Sequence, residues 1–179
     1  MRVIGLAGWS GAGKTTLIVK LIPLLRARGL AVSTLKHAHH AFDIDKPGKD
    51  SFLHREAGAT EVLVASANRF ALMRELRGAP EPSLGDLLAR LSPVDLVLVE
   101  GYKRDAHAKI EVHREANGKP FLFREDPTIV ALASDTREGL PAGLRHVPLD
   151  DVEAVAALVL DLARPLEHVL RHISAGASA

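Results

Sequence analysis

Gly8-Trp9-Ser10-Gly11-Ala12-Gly13-Lys14-Thr15, almost at the start of the chain, is the stretch that decides the fold. It satisfies the pattern G-x-x-x-x-G-K-[ST] at every fixed position, which is the pattern of a P-loop. The apolar run 3–7 precedes it and predicts a buried strand, and a helical pattern begins near Lys14. Because the motif requires a strand before it and a helix after it, this context supports a phosphate-binding loop in an α/β fold.

The residue types of the loop explain this interpretation. Glycines adopt positive φ without strain, so successive backbone N–H groups can turn inward around phosphate oxygens. The N-terminus of the following helix adds a partial positive charge. The Lys14 ammonium is predicted to reach the β- and γ-phosphates, and the Thr15 hydroxyl is predicted to hold Mg²⁺.

Composition limits the classes of protein to consider. The chain has 179 residues, a formal net charge of +1 and no cysteine. We therefore expect one domain over 1–173 with a disordered tail over 174–179, no disulfide or thiolate metal site, and no charge bias towards nucleic acid. The absence of cysteine suits a cytosolic protein. The apolar run 154–160 is far too short to span a membrane, which suggests a soluble protein.

The first strand, helix and second strand form a predicted βαβ unit. Apolar residues recur at helical spacing over 17–25, and Gly29 is expected to end the helix. Pro23 is expected to kink or shorten it. The run 31–36 predicts a second strand parallel to the first, so the residues after Lys36 should face the same edge as the P-loop.

The remaining patterns complete a predicted three-layer α/β/α fold of the P-loop NTPase class. Its sheet is expected to be mostly parallel and twisted, with an antiparallel hairpin extension. The hairpin comes from 62–65 and 69–74, and a helix follows from Ser83 to about Leu91. Further strands are predicted at 94–99, 109–114 (alternating, hence half-exposed), 129–133 and 146–147, before a helix capped by Asp150 or Asp151.

Glu100 follows the apolar strand 94–99, and Gly101 allows a sharp turn after it. A P-loop protein needs a carboxylate at the end of a neighbouring strand to hold Mg²⁺ or orient the attacking water. We therefore predict a catalytic and metal-linked role for Glu100, against the alternative of a solvated glutamate at a strand end. Asp95 stands at the opposite end of that strand and is interpreted as structural.

The segment 36–51 carries a second cluster of polar residues. His37, His39 and His40 are crowded as in a metal site, while the same histidines with Lys49 can contact a substrate phosphate or carboxylate. A solvated loop is the third possibility. Asp50 or Asp45 is a candidate second Mg²⁺ contact, since such loops often respond to the γ-phosphate.

Asp135 follows the predicted strand 129–133, at the edge where the base of a nucleotide is expected. A carboxylate there can accept hydrogen bonds from the N1–H and the exocyclic amine of guanine, which adenine does not offer. Asp135 is therefore a candidate guanine-binding residue. The alternative is an aspartate that only caps a helix or a turn.

Several stretches together resemble the molybdopterin-guanine dinucleotide biosynthesis adapter family, MobB. The matching stretches are G-W-S-G-A-G-K-T-T-L (8–17), L-K-H-A-H-H (35–40), D-K-P-G-K-D-S (45–51), H-R-E-A-G-A (54–59), L-V-L-V-E-G-Y-K (96–103) and A-L-A-S-D (131–135). The resemblance extends from about residue 2 to near Ala163. Ala12 departs from the serine that family members often carry, a side chain that the loop does not require.

The resemblance implies a homodimeric, cytoplasmic GTP-binding protein with slow, Mg²⁺-dependent GTP hydrolysis. It would assist a molybdenum cofactor guanylyltransferase that joins GMP to molybdopterin. The residues it places at the nucleotide are Gly11, Ala12, Gly13, Lys14, Thr15 and Thr16, with Glu100 near the metal. The segment with His37, His39, His40 and Lys49 would meet the pterin phosphate or the partner.

Two other functions remain open from the residues. A P-loop small-molecule kinase is one, although Arg69, Arg74 and Arg77 form no obvious arginine-rich lid. A nickel-delivery GTPase is the other, suggested by the histidines and weakened by the absence of cysteine.

Overall fold

The computed structural model describes residues 1–38 and 42–176, with side chains up to residue 173. Two compact units are present. The first contains Met1–His37 and the chain from Leu84 onwards, and the second contains Ala38–Ser83.

The first unit is built on a parallel sheet. Its strands, numbered in chain order, are β1 (Arg2–Ala7), β2 (Val32–Lys36), β5 (Leu96–Glu100), β6 (Lys109–His113), β7 (Ile129–Ser134), β8 (Arg145–Pro148) and β9 (Arg164–Pro165). They follow the order β2-β5-β1-β6-β7-β8 and are parallel, while β9 pairs antiparallel with the start of β1. The carboxyl ends of β1, β2, β5 and β6 therefore lie along one edge of the sheet.

Helices cover both faces of this sheet. They are α1 (Lys14–Ala27), α3 (Leu84–Leu88), α4 (Val152–Leu162) and α5 (Leu166–Gly176). One apolar core joins α1 and α4 to the sheet, and a second joins α3 and α5 to the other face. The predicted three-layer α/β/α class is confirmed. The helix α3 is shorter than expected, and α5 continues through the first three residues of the predicted tail, 174–176.

Pro23 lies inside α1 and does not end the helix, so the shortening expected as one outcome is not observed. The helix runs from Lys14 to Ala27 with Pro23 inside it, and Leu17, Leu21 and Leu25 are buried against the sheet. This apolar face outweighs the one backbone hydrogen bond that proline removes. The helix ends as predicted, because Gly29 has φ 82° and Leu30 N–H bonds to Leu25 O in a Schellman arrangement.

The strand β6 is fully buried, so the prediction of a half-exposed strand is wrong. It lies between β1 and β7, and other residues of the first unit shield its polar side chains from solvent. Lys109 Nζ donates to Asp105 O (2.6 Å) and Thr128 Oγ1 (2.5 Å). Glu111 accepts the backbone N–H groups of Leu122 (2.8 Å) and Phe123 (2.9 Å). Hydrogen bonds, rather than solvent, therefore satisfy Lys109 and Glu111.

The second unit contains α2 (Asp50–Glu56) and the antiparallel hairpin of β3 (Glu61–Ala65) and β4 (Phe70–Arg74). The hairpin is confirmed and forms a two-stranded sheet of its own. Arg55 stabilises the unit through ion pairs with Asp43 (2.8 Å), Asp45 (3.3 Å) and Glu75 (2.8 Å). Lys49 occupies the N-cap of α2, and the Ser51 hydroxyl donates to Asp45.

Within residues 1–38 and 42–176, every helix is too short or too polar to cross a membrane.

Candidate functional site

The P-loop connects β1 to α1 at the carboxyl edge of the parallel sheet. Gly8, Gly11 and Gly13 have φ values of 147°, 82° and 97°, which residues with a side chain rarely adopt. A Cβ on Gly8 would lie 2.4 Å from Val112 O, so the loop passes directly against β6. Ala12 turns its side chain into the apolar core and is 2% exposed. This explains why a methyl group is accepted at that position.

Lys14 opens α1 and folds back over its own loop. Its Nζ donates to Gly8 O at 2.9 Å and to Trp9 O at 3.0 Å. Partial burial lowers the pKa of Lys14, the charge of Glu100 opposes this, and the ammonium groups of Lys103 and Lys36 lower it further. The loop therefore gathers positive charge at a helix N-terminus, which favours a polyanion.

Thr15 and Glu100 meet at this edge. Thr15 Oγ1 donates to Glu100 Oε1 at 2.9 Å, and Lys36 Nζ lies 3.4 Å from the same oxygen. The parallel register pairs Leu6 with Glu100 and Lys36 with Glu100, so three successive strands bring these groups together. The Glu100 side chain is 12% exposed, while Thr15 is exposed beside it. The two sequence-predicted Mg²⁺ residues of the first unit are therefore adjacent.

These donors fit a magnesium ion. Mg²⁺ prefers hard oxygen ligands and keeps several waters, and it is usually held by one or two protein groups together with substrate phosphates. A hydroxyl and a carboxylate at hydrogen-bond distance, beside the P-loop, supply that combination. Within residues 1–38 and 42–176, no group of three or more His, Asp or Glu residues is arranged to hold a metal ion.

The segment 114–120, which follows β6, lies against the P-loop. Asn117 Nδ2 donates to Ser10 O at 2.9 Å, and Trp9 Nε1 donates to Pro120 O at 2.8 Å. A Cβ on Gly13 would lie 3.9 Å from two nitrogens of the Arg114 guanidinium. Sequence reasoning missed Arg114 and Asn117 because their stretch matches no motif. Their position directly after a strand beside β1 was the available signal.

Lys103 is a further cation of this edge that sequence reasoning did not assign. Its Nζ lies 4.7 Å from the ring centroid of Trp9, which is a cation–π contact. The turn before it is tight, since Gly101 has φ 94° and Tyr102 has φ 49°. Non-glycine residues with positive φ are uncommon and concentrate at functional sites. The turn directs Lys103 back towards the P-loop.

Asp135 lies at the end of β7, as predicted. Its Oδ1 accepts the backbone N–H of Glu115 at 2.8 Å, and its Oδ2 lies 3.9 Å from Arg114 Nη1. The carboxylate therefore joins the end of β7 to the segment after β6. Because each carboxylate oxygen can accept more than one hydrogen bond, this geometry is compatible with binding a guanine base.

The residues of the segment 36–51 divide between the two units. His37 follows β2 and packs its ring 4.9 Å from that of Tyr102, close to Glu100. His39 and His40 lie outside the described residues. Lys49 and Asp50 lie at the start of α2 in the second unit, and their roles remain predictions. Asp45 is bound by Ser51 and Arg55 and is 8% exposed, so it serves the second unit structurally.

The fold and this site define a protein of the α/β class built like P-loop NTPases, with the phosphate loop between its central strand and first helix. Residues 3–135 match the family model described as molybdopterin guanine dinucleotide synthesis protein B, MobB. The chain therefore belongs to the MobB family.

Individual relatives agree with this assignment. The chain is 44% identical over 162 residues to a molybdopterin-guanine dinucleotide biosynthesis adapter protein of Escherichia coli (strain K12), covering 89% of this chain and 91% of the relative. It is 44% identical over 136 residues to the protein of the same description from Haemophilus influenzae, covering 74% of each. A crystal structure of molybdopterin-guanine biosynthesis protein B has a TM-score of 0.68 at 30% identity, covering 89% of this chain and 99% of that one.

Proposed function

We propose that this protein is a GTP-binding adapter that assists a guanylyltransferase in attaching GMP to molybdopterin. The main support for nucleotide binding is the 2.9 Å hydrogen bond from Thr15 Oγ1 to Glu100 Oε1. It places a hydroxyl and a carboxylate, the two groups that a Mg²⁺–triphosphate site requires, beside a P-loop. The names of the E. coli and H. influenzae relatives support the adapter part.

In this proposal, the chain's own groups bind and orient the nucleotide. The backbone N–H groups of residues 11–16 surround the phosphates, and Lys14 exchanges its contacts with Gly8 O and Trp9 O for phosphate oxygens. Bound Mg²⁺ would neutralise phosphate charge, with Thr15 and Glu100 as its protein contacts. Asp135 selects guanine by accepting from N1–H and the exocyclic amine.

GTP hydrolysis is proposed to be slow. Glu100 is the proposed base, and its Oε1 already accepts from Thr15 and lies near Lys36. Both contacts occupy the carboxylate and leave it less available to a water. Slow turnover suits a protein that holds GTP for a partner enzyme.

The segment with His37, His39, His40 and Lys49 is proposed to contact the pterin phosphate or the guanylyltransferase. His37 supports this, because it follows β2 on the same edge as Glu100. Lysine and histidine are suitable partners for a phosphate group. Asp50 is proposed as an additional contact to the metal.

We further propose a homodimer joined through the hairpin. Leu63, Phe70 and Leu72 share one face of the hairpin, since Leu63 pairs with Leu72 and Ala65 with Phe70. They are 61%, 74% and 50% exposed, respectively. Apolar side chains grouped in this way commonly mark an interface. Sedimentation should give a dimer for the wild type and a monomer for Leu72→Lys, while Val19→Lys, at a residue on α1 with 64% exposure, should remain dimeric. A dimeric Leu72→Lys protein would exclude this face.

The test of the proposed function is a paired measurement. Calorimetric titration with Mg²⁺ should show GTP binding in preference to ATP, and the purified guanylyltransferase should attach GMP to molybdopterin faster when this protein is added. A preference for ATP, or stoichiometric transfer of phosphate to a metabolite, would favour a small-molecule kinase instead. Micromolar binding of Ni²⁺ would favour a nickel-delivery GTPase.

A further inference from the structure

We propose that Arg114 is an additional phosphate-binding cation of the P-loop site, which exchanges its ion pairs with Asp135 and Asp150 for the phosphate chain of the bound nucleotide. This inference rests on the proposed nucleotide binding. It assigns to that site a residue outside the P-loop motif.

The position of Arg114 is set by the sheet. The register of β6 against β1 pairs Ala7 with Glu111, so the chain leaves β6 two residues later, level with the P-loop. Arg114 follows there directly, and its guanidinium lies 3.9 Å from where a Cβ on Gly13 would stand. Gly13 immediately precedes Lys14 and has no side chain to separate the guanidinium from the loop. The charge therefore lies against the backbone that is expected to surround the phosphates.

The backbone around Arg114 is held in place. Asp135 Oδ1 accepts the N–H of Glu115, the next residue, at 2.8 Å. Asn117 Nδ2 donates to Ser10 O at 2.9 Å and fastens the same segment to the P-loop. The backbone that follows Arg114 is thus anchored, so little backbone freedom is lost when its side chain binds a ligand. Asp135 acts as its positioning residue.

The side chain of Arg114, in contrast, is weakly held. Its nearest approaches to Asp135 and Asp150 are 3.9 Å and 3.6 Å, both longer than a hydrogen bond, and its side chain is 40% exposed. Exposed ion pairs of this kind contribute little stability. A guanidinium offers five N–H donors in a planar fork that matches phosphate oxygens, and such charge-assisted contacts are strong. Exchange of the aspartates for phosphate is therefore favourable.

The other cations at this edge of the sheet do not occupy the position that Arg114 takes. Lys36 is paired with Glu100, and Lys103 lies over Trp9. Both belong to the side of the P-loop where β2 and β5 end, whereas Arg114 comes from the end of β6 on the opposite side of β1. A phosphate chain bound in the loop would then contact Lys14 at the start of α1 and Arg114 on the side where β6 ends.

The test measures dissociation constants for GTP, GDP and GMP with Mg²⁺, for the full chain and three variants. Arg114→Ala should weaken GTP binding roughly tenfold or more, the usual effect of losing a charge-assisted contact. The loss should decrease from GTP to GDP and should fall below about twofold for GMP. Arg114→Lys should recover part of the GTP affinity by keeping the charge without the fork.

Arg145→Ala is the matched control. Arg145 is also an exposed arginine paired with an aspartate, Asp161, but it begins β8 at the opposite end of the strands. Its variant should bind all three nucleotides like the wild type. Arg114→Ala with unchanged GTP affinity, or with equal losses for GTP and GMP, would overturn the phosphate role. If the wild type itself binds no guanine nucleotide, the proposed function fails, and that result is distinguishable from either outcome.

Discussion

Thr15 Oγ1 and Glu100 Oε1 lie 2.9 Å apart although 85 residues separate them in the chain. The contact exists because β5 lies beside β1 in parallel, and the loop after β1 returns Thr15 to the edge where β5 ends. In open α/β sheets, this edge is where ligands bind. The pair therefore joins the P-loop to the carboxylate that is proposed to assist the metal.

Replacement of Lys14 tests the P-loop assignment. Lys14→Ala removes the ammonium that caps two loop carbonyls and is expected to contact the β- and γ-phosphates. GTP affinity should fall by roughly a factor of 10 or more, as expected for the loss of a charge-assisted contact. The melting temperature should change little because Lys14 is only partly buried. Lys20→Ala, an exposed lysine on the same helix, is the control, and GTP affinity equal to the wild type in Lys14→Ala would refute the assignment.

Glu100→Gln separates hydrolysis from binding. Glutamine keeps the size of the side chain and an oxygen that can accept from Thr15, but it loses the charge that assists Mg²⁺ and orients water. We expect kcat for GTP to fall by about tenfold or more while Kd changes by less than about threefold. The exposed Glu167→Gln should match the wild type in both. Unchanged kcat in Glu100→Gln would remove the carboxylate from the reaction.

Asp135→Asn tests how the base is recognised. The amide can still accept from Glu115 N–H, but half of the acceptor group becomes a donor, which complements xanthine better than guanine. The ratio of affinities for GTP and xanthosine triphosphate should move towards the xanthine nucleotide by about tenfold or more. The same ratio in wild type and variant would show that the base is read by other residues.

The buried His107 predicts a pH dependence of stability. It is 4% exposed, and burial lowers its pKa to about 4, helped by the charge of Lys109. Because its folded pKa lies below the unfolded value near 6.5, the unfolded state takes up the proton first as pH falls. The free energy of unfolding should therefore decrease from about pH 6.5 towards pH 4, by roughly 3 kcal/mol from this group.

Denaturant unfolding at several pH values measures this contribution. His107→Gln should flatten the slope over that window, whatever its effect on absolute stability, since glutamine does not titrate. His172→Gln, at an exposed position on α5, should keep the slope of the wild type. An unchanged slope in His107→Gln would mean that other groups govern the acid sensitivity.

Much of the fold could be predicted because local patterns agreed with it. The P-loop motif fixed β1, the loop and α1, and the apolar run before Glu100 predicted β5 and its direction. The hairpin followed from two short strands close in sequence. Such predictions succeed where a segment's own residues determine both its structure and its environment.

The prediction was wrong for the exposure of β6, because other segments of the chain cover that strand. The alternation of Lys109, Glu111 and His113 suggested a strand facing water, but residues 105–128 supply hydrogen bonds to its polar face and bury it. Periodicity shows which side chains share a face and does not show what covers that face. Arg114 and Asn117 were missed for a related reason, since only the order of strands places them against the P-loop.

A nucleotide-selectivity titration tests the account most directly. The wild-type chain is titrated with GTP and ATP, with and without Mg²⁺, alone and then in the presence of the guanylyltransferase, and the intrinsic fluorescence of Trp9, the one tryptophan of the chain, reports occupancy of the loop. The account predicts Mg²⁺-dependent binding of GTP over ATP, and a stable association with the guanylyltransferase. Preference for ATP, or GTP binding without any association with that enzyme, would contradict it.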